Sequence, residues 1–193
     1  MAQLALFPLN IVLFPGGPLQ LRIFEKRYLD MVSRCLREDT GFGVCLIRQG
    51  NEVGTPATPF EIGTVARIVD WERRQDGLLG ITALGEERFR IRSTAVGADG
   101  LLLAETEHLP APCIDALPRQ PAVVHELVNR ILQLKGMGYE HVQPHWDSAH
   151  WLGCRLAEAL PLDLPARQRL LEMDDPLERL RSLQPMVPNL VCE

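Results

Sequence analysis

Three histidines, His141, His145 and His150, stand close together beside Asp147 and after Glu140. On a helix, the four-residue step from His141 to His145 would offer two imidazoles to one divalent metal. Pro144 lies between them and opposes a helix through the pair. The segment is therefore read as a polar loop joining two helices, with Trp146 and Trp151 packed at the bundle edge, and no metal is assigned. A nucleophilic thiol would need Cys113 or Cys154 beside His108 or His150. The five cysteines (Cys35, Cys45, Cys113, Cys154, Cys192) are odd in number and form no C-x-x-C pair, so they read as reduced thiols rather than a disulfide framework or zinc site.

Other catalytic signatures are missing. The serines are Ser33, Ser93, Ser148 and Ser182, and no G-x-S-x-G elbow holds any of them. Lys26 and Lys135 are the only lysines and neither follows a glycine, which excludes the G-x-x-x-x-G-K-[ST] phosphate loop; G-x-G-x-x-G is absent too. Glu86-Glu87 reads as a turn before a strand, and Asp174-Asp175 as a helix N-cap. No catalytic residue, metal or cofactor is expected.

The elements that would position a site fall into two parts. Up to about residue 107, short apolar runs alternate with Gly, Pro and Asp-Gly turns, the punctuation of β structure. Strands are expected at 4–7, 11–14, 42–48, 62–73, 78–84, 88–96 and 101–107, with a turn at Asp76-Gly77 and another at Asp99-Gly100. Arg88, Arg90 and Arg92 alternate with Phe89 and Ile91, which predicts a strand with one wet face. One helix interrupts, at 25–37, where Tyr28, Met31, Val32, Cys35 and Leu36 share a face. Four prolines from His108 through Pro121 mark a stiff connector. Beyond it, helices are expected at 121–134, from Asp147 or Ser148 to about 160, at 165–173 and at 176–184. The division is thus 1–107 barrel, 108–120 connector and 121–193 helical subdomain: an α+β fold in which a mostly antiparallel barrel of six or seven strands precedes a helical bundle.

The chain has 193 residues and a net charge of −5, with a pI near 5.6. A surface living on phosphate neutralisation is usually basic, with a domain pI above about 9, so nucleic acid is disfavoured as a partner. No apolar run approaches the ~18–20 residues of a membrane-spanning helix. The apolar N-terminus lacks a basic leader and is broken by Pro8, Asn10 and Pro15, so it reads as structure and the protein as cytoplasmic.

Four ordered blocks carry a resemblance. They are Phe7-Pro8-Leu9 through Phe14-Pro15-Gly16, Leu21-Arg22-Ile23-Phe24-Glu25-Lys26-Arg27-Tyr28, Ile62-Gly63-Thr64-Val65-Ala66-Arg67-Ile68 with Asp76-Gly77, and Gly85-Glu86-Glu87-Arg88-Phe89-Arg90-Ile91. With Leu170-Leu171-Glu172 and Pro176-Leu177-Glu178-Arg179-Leu180 after them, the chain resembles the N-terminal domain of the Lon ATP-dependent protease over about residues 4 to 184. The resemblance implies a PUA-like β-barrel followed by helices and a stand-alone substrate-binding domain without the ATPase and protease domains. Such a protein would not be an enzyme. It would bind unfolded or extended polypeptides, work as an adaptor or regulator in protein quality control, and have an ATP-dependent protease or a second copy of itself as partner. The alternatives are an RNA-binding PUA-like domain and, further off, a metal-dependent enzyme built on the histidines. Arg22, Glu25 and Arg67 read as charge pairs fixing the helix against the barrel. An apolar groove between barrel and helices, with Phe24, Arg27, Tyr28, Arg73 and Arg74 at the groove or the domain seam, would suit a peptide.

Overall fold

The computed structural model describes residues 3–109, 117 and 120–187. The first part holds β1 (Gln3–Leu9), β2 (Pro18–Ile23), α1 (Lys26–Glu38), β3 (Phe42–Gln49), β4 (Thr58–Pro59), β5 (Ile62–Arg73), β6 (Leu79–Val96) and β7 (Leu102–Leu109). The second holds α2 (Ala122–Leu132), α3 (Ala149–Ala159), α4 (Leu164–Glu172) and α5 (Pro176–Leu183), with a short 3-10 turn at Tyr139–His141. The expected α+β class holds. Most of the connector drawn at 108–120 lies outside the described residues, and its first two residues belong to β7.

The sheet closes on itself. β1 pairs with β7, β7 with β6, β6 with β5 and β5 with β3, all antiparallel, and β3 returns to β1 in parallel register. Closure leaves few open edges. β1 exchanges partners at Leu6, from β7 before it to β3 after it. Beyond Leu6 no β7 ladder continues beside β1, and Pro8 sits there without breaking the strand, as proline does where a ladder is missing.

Three expectations need correction. Residues 11–14 are irregular and not a strand; they carry Val12, Leu13 and Phe14 into buried positions as a loop. The runs at 78–84 and 88–96 are one strand, so Glu86-Glu87 lies inside β6 and not in a turn. Gly85 makes that continuity possible. It donates to Gly17 O at 2.8 Å and accepts from Gly16 N–H at 2.7 Å, and a Cβ there would lie 2.3 Å from Phe14 O. At this point β6 passes from β2 to β7 as its second neighbour. Arg88, expected on a wet face, is 2% exposed. It donates to Leu171 O at 2.8 Å and Met173 O at 3.1 Å and pairs with Asp174 at 2.9 Å, which ties the barrel to the end of α4.

Two cores result. Inside the barrel, Phe42, Ile81 and Leu101 meet Tyr28, Met31, Val32 and Cys35 from α1, the face its periodicity indicates, although Leu36 is exposed. Asp39, at φ 50, ends the helix, and Arg67 holds it there through its carbonyl at 2.9 Å and its carboxylate at 3.0 Å. In the second core Phe14, Leu46 and Ile62 of the barrel part pack with Val128, Leu152, Leu156 and Leu180 of the helices. Ser148, Asp163 and Asp175 cap α3, α4 and α5 by accepting from Trp151, Ala166 and Leu177 N–H groups.

Candidate functional site

Phe24 follows β2 directly, next to the buried Ile23 and just before α1, whose Tyr28 is buried. The Phe24 side chain is 56% exposed, and Val53, in the loop after β3, is 57% exposed. Between them opens a cavity of about 260 Å³ lined by Phe7, Leu9, Tyr28, Glu52 and the consecutive residues Gln20 to Glu25. Phe7 stacks on Tyr28 with centroids 3.8 Å apart and planes 13° from parallel. Burial pushes the Tyr28 phenol up, only partly opposed by Arg27, whose guanidinium lies 4.6 Å from the ring centroid. The floor is therefore aromatic, apolar and fixed, while two hydrophobic side chains stand in water at the mouth. Such an arrangement presents apolar surface both at its floor and at its mouth.

The sequence-selected residues separate. Phe24 and Tyr28 line this cavity. Arg27 is used internally, paired with Glu25 at 2.9 Å and donating to Gly100 O at 3.2 Å. Arg74 lines a different cavity of about 430 Å³, with Trp71, Arg22 and Glu140, and Arg73 is exposed at the end of β5. Of the charge pairs expected to fix the helix, Arg67 does so through Asp39, whereas Arg22 instead reaches Asp76 in the β5–β6 turn at 2.5 Å. A cleft between barrel and helices does exist, about 320 Å³ among Gly16, Arg67, Gly85, His141, His145 and Trp151. None of Phe24, Arg27, Tyr28, Arg73 and Arg74 lines it. Sequence reading missed Glu52 and Val53, since a loop side chain gains meaning only from what it folds against.

The histidines part as well. His141 Nε2 lies 3.9 Å from Asp70, and His145 meets Trp151 edge-on, 6.4 Å between centroids. His150 is held by burial at a pKa of about 4, with Arg179 adding to the lowering. Among the described residues no three His, Cys, Asp or Glu side chains converge as metal ligands would. Burial raises the Cys154 thiol, and both it and His150 face Arg179. Thiol up and imidazole down is the reverse of what an activated pair needs. Cys113 lies outside the described residues.

The signature Pro15-Gly16-Gly17 meets α3 at the barrel–helix seam. Arg155, fully buried, donates to Pro15 O at 2.9 Å and pairs with Glu158 at 2.7 Å, and the Tyr139 hydroxyl donates to the same carboxylate at 3.0 Å. A Cβ on Gly17 would fall 2.1 Å from Glu158 Oε1. Close approach thus demands glycine at 17, while Gly16 is required by its left-handed backbone at φ 72. Residues 3–188 match the family model described as the ATP-dependent protease La (LON) substrate-binding domain. The chain belongs to that family. A Lon N-terminal domain protein from Xanthomonas campestris, known from a crystal structure, is 37% identical, with 95% of this chain and 97% of that one covered and a TM-score of 0.76. The Lon protease of Cytophaga hutchinsonii is 27% identical over 178 residues, covering 88% of this chain and 22% of the protease. Cereblon of Danio rerio is 32% identical over 103 residues, 52% of this chain and 23% of that protein. The N-terminal domain of a Mycobacterium avium complex Lon protease, 17% identical with a TM-score of 0.66, shares the fold. This chain therefore spans less than a quarter of the length of these curated relatives. Within the LON substrate-binding family its quoted motifs act first as fold-makers: the Pro-Gly turn seats α3, Arg67 holds the end of α1, and Arg88 holds that of α4.

Proposed function

We propose that this chain is a non-catalytic polypeptide-binding module that holds unfolded or extended protein segments at the slot beside Phe24. One observation carries the reading: two large hydrophobic side chains, Phe24 and Val53, stand exposed over an apolar floor of Phe7, Leu9 and Tyr28. Leaving them in water has a hydrophobic cost that a bound apolar side chain removes, at about 25 cal/mol for each Å² covered. Membership of the LON substrate-binding family supports the same reading. As an adaptor or regulator in the cytoplasm, the module would pass bound segments to an ATP-dependent protease. No helix among the described residues is long and apolar enough to cross a membrane.

The test uses ribonuclease A unfolded permanently by reduction and alkylation, with the native enzyme as control. Saturable binding of the unfolded form alone is expected. Phe24→Asp with Val53→Asp should weaken it about tenfold or more through lost apolar contact, while Val96→Ser, at an exposed position far along β6, leaves it unchanged. Equal binding by all three proteins would sink the assignment to this slot.

A further inference from the structure

The closed barrel has a gap along β2. Among the described residues β2 pairs with β6 alone, so its other edge carries main-chain groups with no strand beside them. The ladder tells which groups these are. Gly85 N–H donates to Gly17 O on one side of β6, and Arg74 N–H donates to Leu78 O on the other. Hydrogen-bonded and non-bonded positions alternate in antiparallel pairs, and both bonds give the same phase. Leu19, Leu21 and Ile23 turn their N–H and C=O groups to β6; Gln20 and Arg22 turn theirs outward. Pro18, which has no N–H, shares the outward phase, where proline is tolerated.

That edge runs into the slot. Its lining includes every residue from Gln20 to Glu25, so the cavity lies along the strand rather than across it. The charge there is one-sided. Glu25 is neutralised by Arg27 and the Arg22 guanidinium is turned to Asp76, but among the described residues Glu52 accepts from Asn10 N–H, at 2.6 Å, and makes no ion pair. An aliphatic ligand would fill the apolar floor and leave the outward N–H and C=O groups without partners. Two such residues, two apart along a strand, match the main chain of another strand.

We propose that β2 accepts an extended segment of another polypeptide as an added strand, with a large apolar side chain of that segment over Phe7 and Tyr28 and a lysine or arginine beside Glu52. The proposal rests on the polypeptide-binding reading and adds how the segment is held. Main-chain bonding makes the site tolerant of sequence, as a binder of many unfolded chains must be. The apolar pocket and Glu52 add a preference.

The experiment uses the 193-residue chain and a short labelled peptide of alternating threonine and valine with one central phenylalanine and, two residues on, one lysine. Two versions carry N-methyl groups on alternate amides in opposite phase, which block hydrogen bonding on one edge of the peptide or the other. Strand addition predicts that one version binds about tenfold or more weakly while the other stays within roughly twofold of the parent peptide. Arg22→Pro removes an outward N–H without touching the β6 ladder and should also cost about tenfold, whereas Arg22→Thr, which loses only the side chain, should not. Equal binding of the two methylated peptides overturns the proposal, and so does Arg22→Pro binding like Arg22→Thr. Should Arg22→Pro fail to fold, the methylated pair decides alone. Dimerisation of the free chain through β2, abolished by Arg22→Pro, would replace the foreign strand by a second copy and also overturn it. If unfolded ribonuclease binds yet the methylated pair is equal, strand addition falls and polypeptide binding stands; if nothing binds, both fall.

Discussion

At the scale of single residues, the buried charges are the most informative. Arg155 and Arg179 are completely or almost completely buried, and each finds oxygen partners there: Pro15 O and the Glu158 carboxylate for the first, Leu170 O and Met173 O for the second. His150 sits among them and shows the electrostatic consequence. Burial, then Arg179, Arg88 and Arg155, keep its imidazole neutral down to a pKa of about 4, against the usual 6.5 of a histidine. The unfolded chain takes up this proton as pH falls through about 6.5 and the folded chain does not, so folding is favoured above that pH and loses stability below it until about pH 4. Between pH 7 and pH 5 the loss should be on the order of 1–2 kcal/mol, and His150→Gln should remove that part of the slope. Urea midpoints of both proteins at the two pH values check this; parallel pH dependences would contradict it. None of it was legible from the sequence, where His150 stood only as the last of three clustered histidines to which no metal is assigned. Burial by α4 and α5 decides its state, and no local pattern carries that.

At the scale of elements, the helices were more legible than the strands. Caps and prolines are local signals, and Ser148, Asp163 and Asp175 placed α3, α4 and α5 within a residue or two. Strand limits depend on partners far along the chain. β2 was absent from the reading because Leu19, Leu21 and Ile23 alternate with Gln20 and Arg22 inside a segment read for its charges, and β6 was split at Gly85 because a glycine resembles a break until Phe14 O is seen pressing on it. Arg88 was misplaced for the same reason: its alternation with Phe89 is real, but the helices cover that face of the strand. Its two carbonyl contacts make it the tie between β6 and α4. Arg88→Met would keep much of the volume and orphan the Leu171 and Met173 oxygens, a loss of about 2–4 kcal/mol. Hydrogen exchange should then show α4 and α5 amides losing protection first while β5 keeps its own. Uniform loss across barrel and helices would mean that Arg88 supports the barrel rather than the seam.

At the scale of the whole molecule, a division at 108–120 makes the barrel and the helices look separable, and the packing argues that they are not independent. Phe14, Leu46 and Ile62 from the barrel part share a core with Val128, Leu152, Leu156 and Leu180. Arg155 and Arg88 cross the same seam with bonds to main-chain oxygen. The Gln168 side chain reaches Ile62 O at 3.0 Å from the helical side. A barrel cut free would expose those apolar residues and strand a buried guanidinium, and either change alone costs a sizeable fraction of the usual 5–15 kcal/mol of a domain's stability. The two parts should therefore unfold together. Tryptophan fluorescence of a Trp71→Phe variant reports only on Trp146 and Trp151, both in the helical part, while exchange of strand amides reports on the barrel. Coincident urea midpoints are expected, and a chain ending at Leu109 should bind hydrophobic dye and fail to show a cooperative transition. Two separated transitions, or a soluble cooperative barrel alone, would restore the two-domain picture and make the seam an interface that opens. In the cooperative case the slot beside β2 belongs to a rigid body, and a bound segment is gripped by a preformed edge and pocket rather than by parts that close around it.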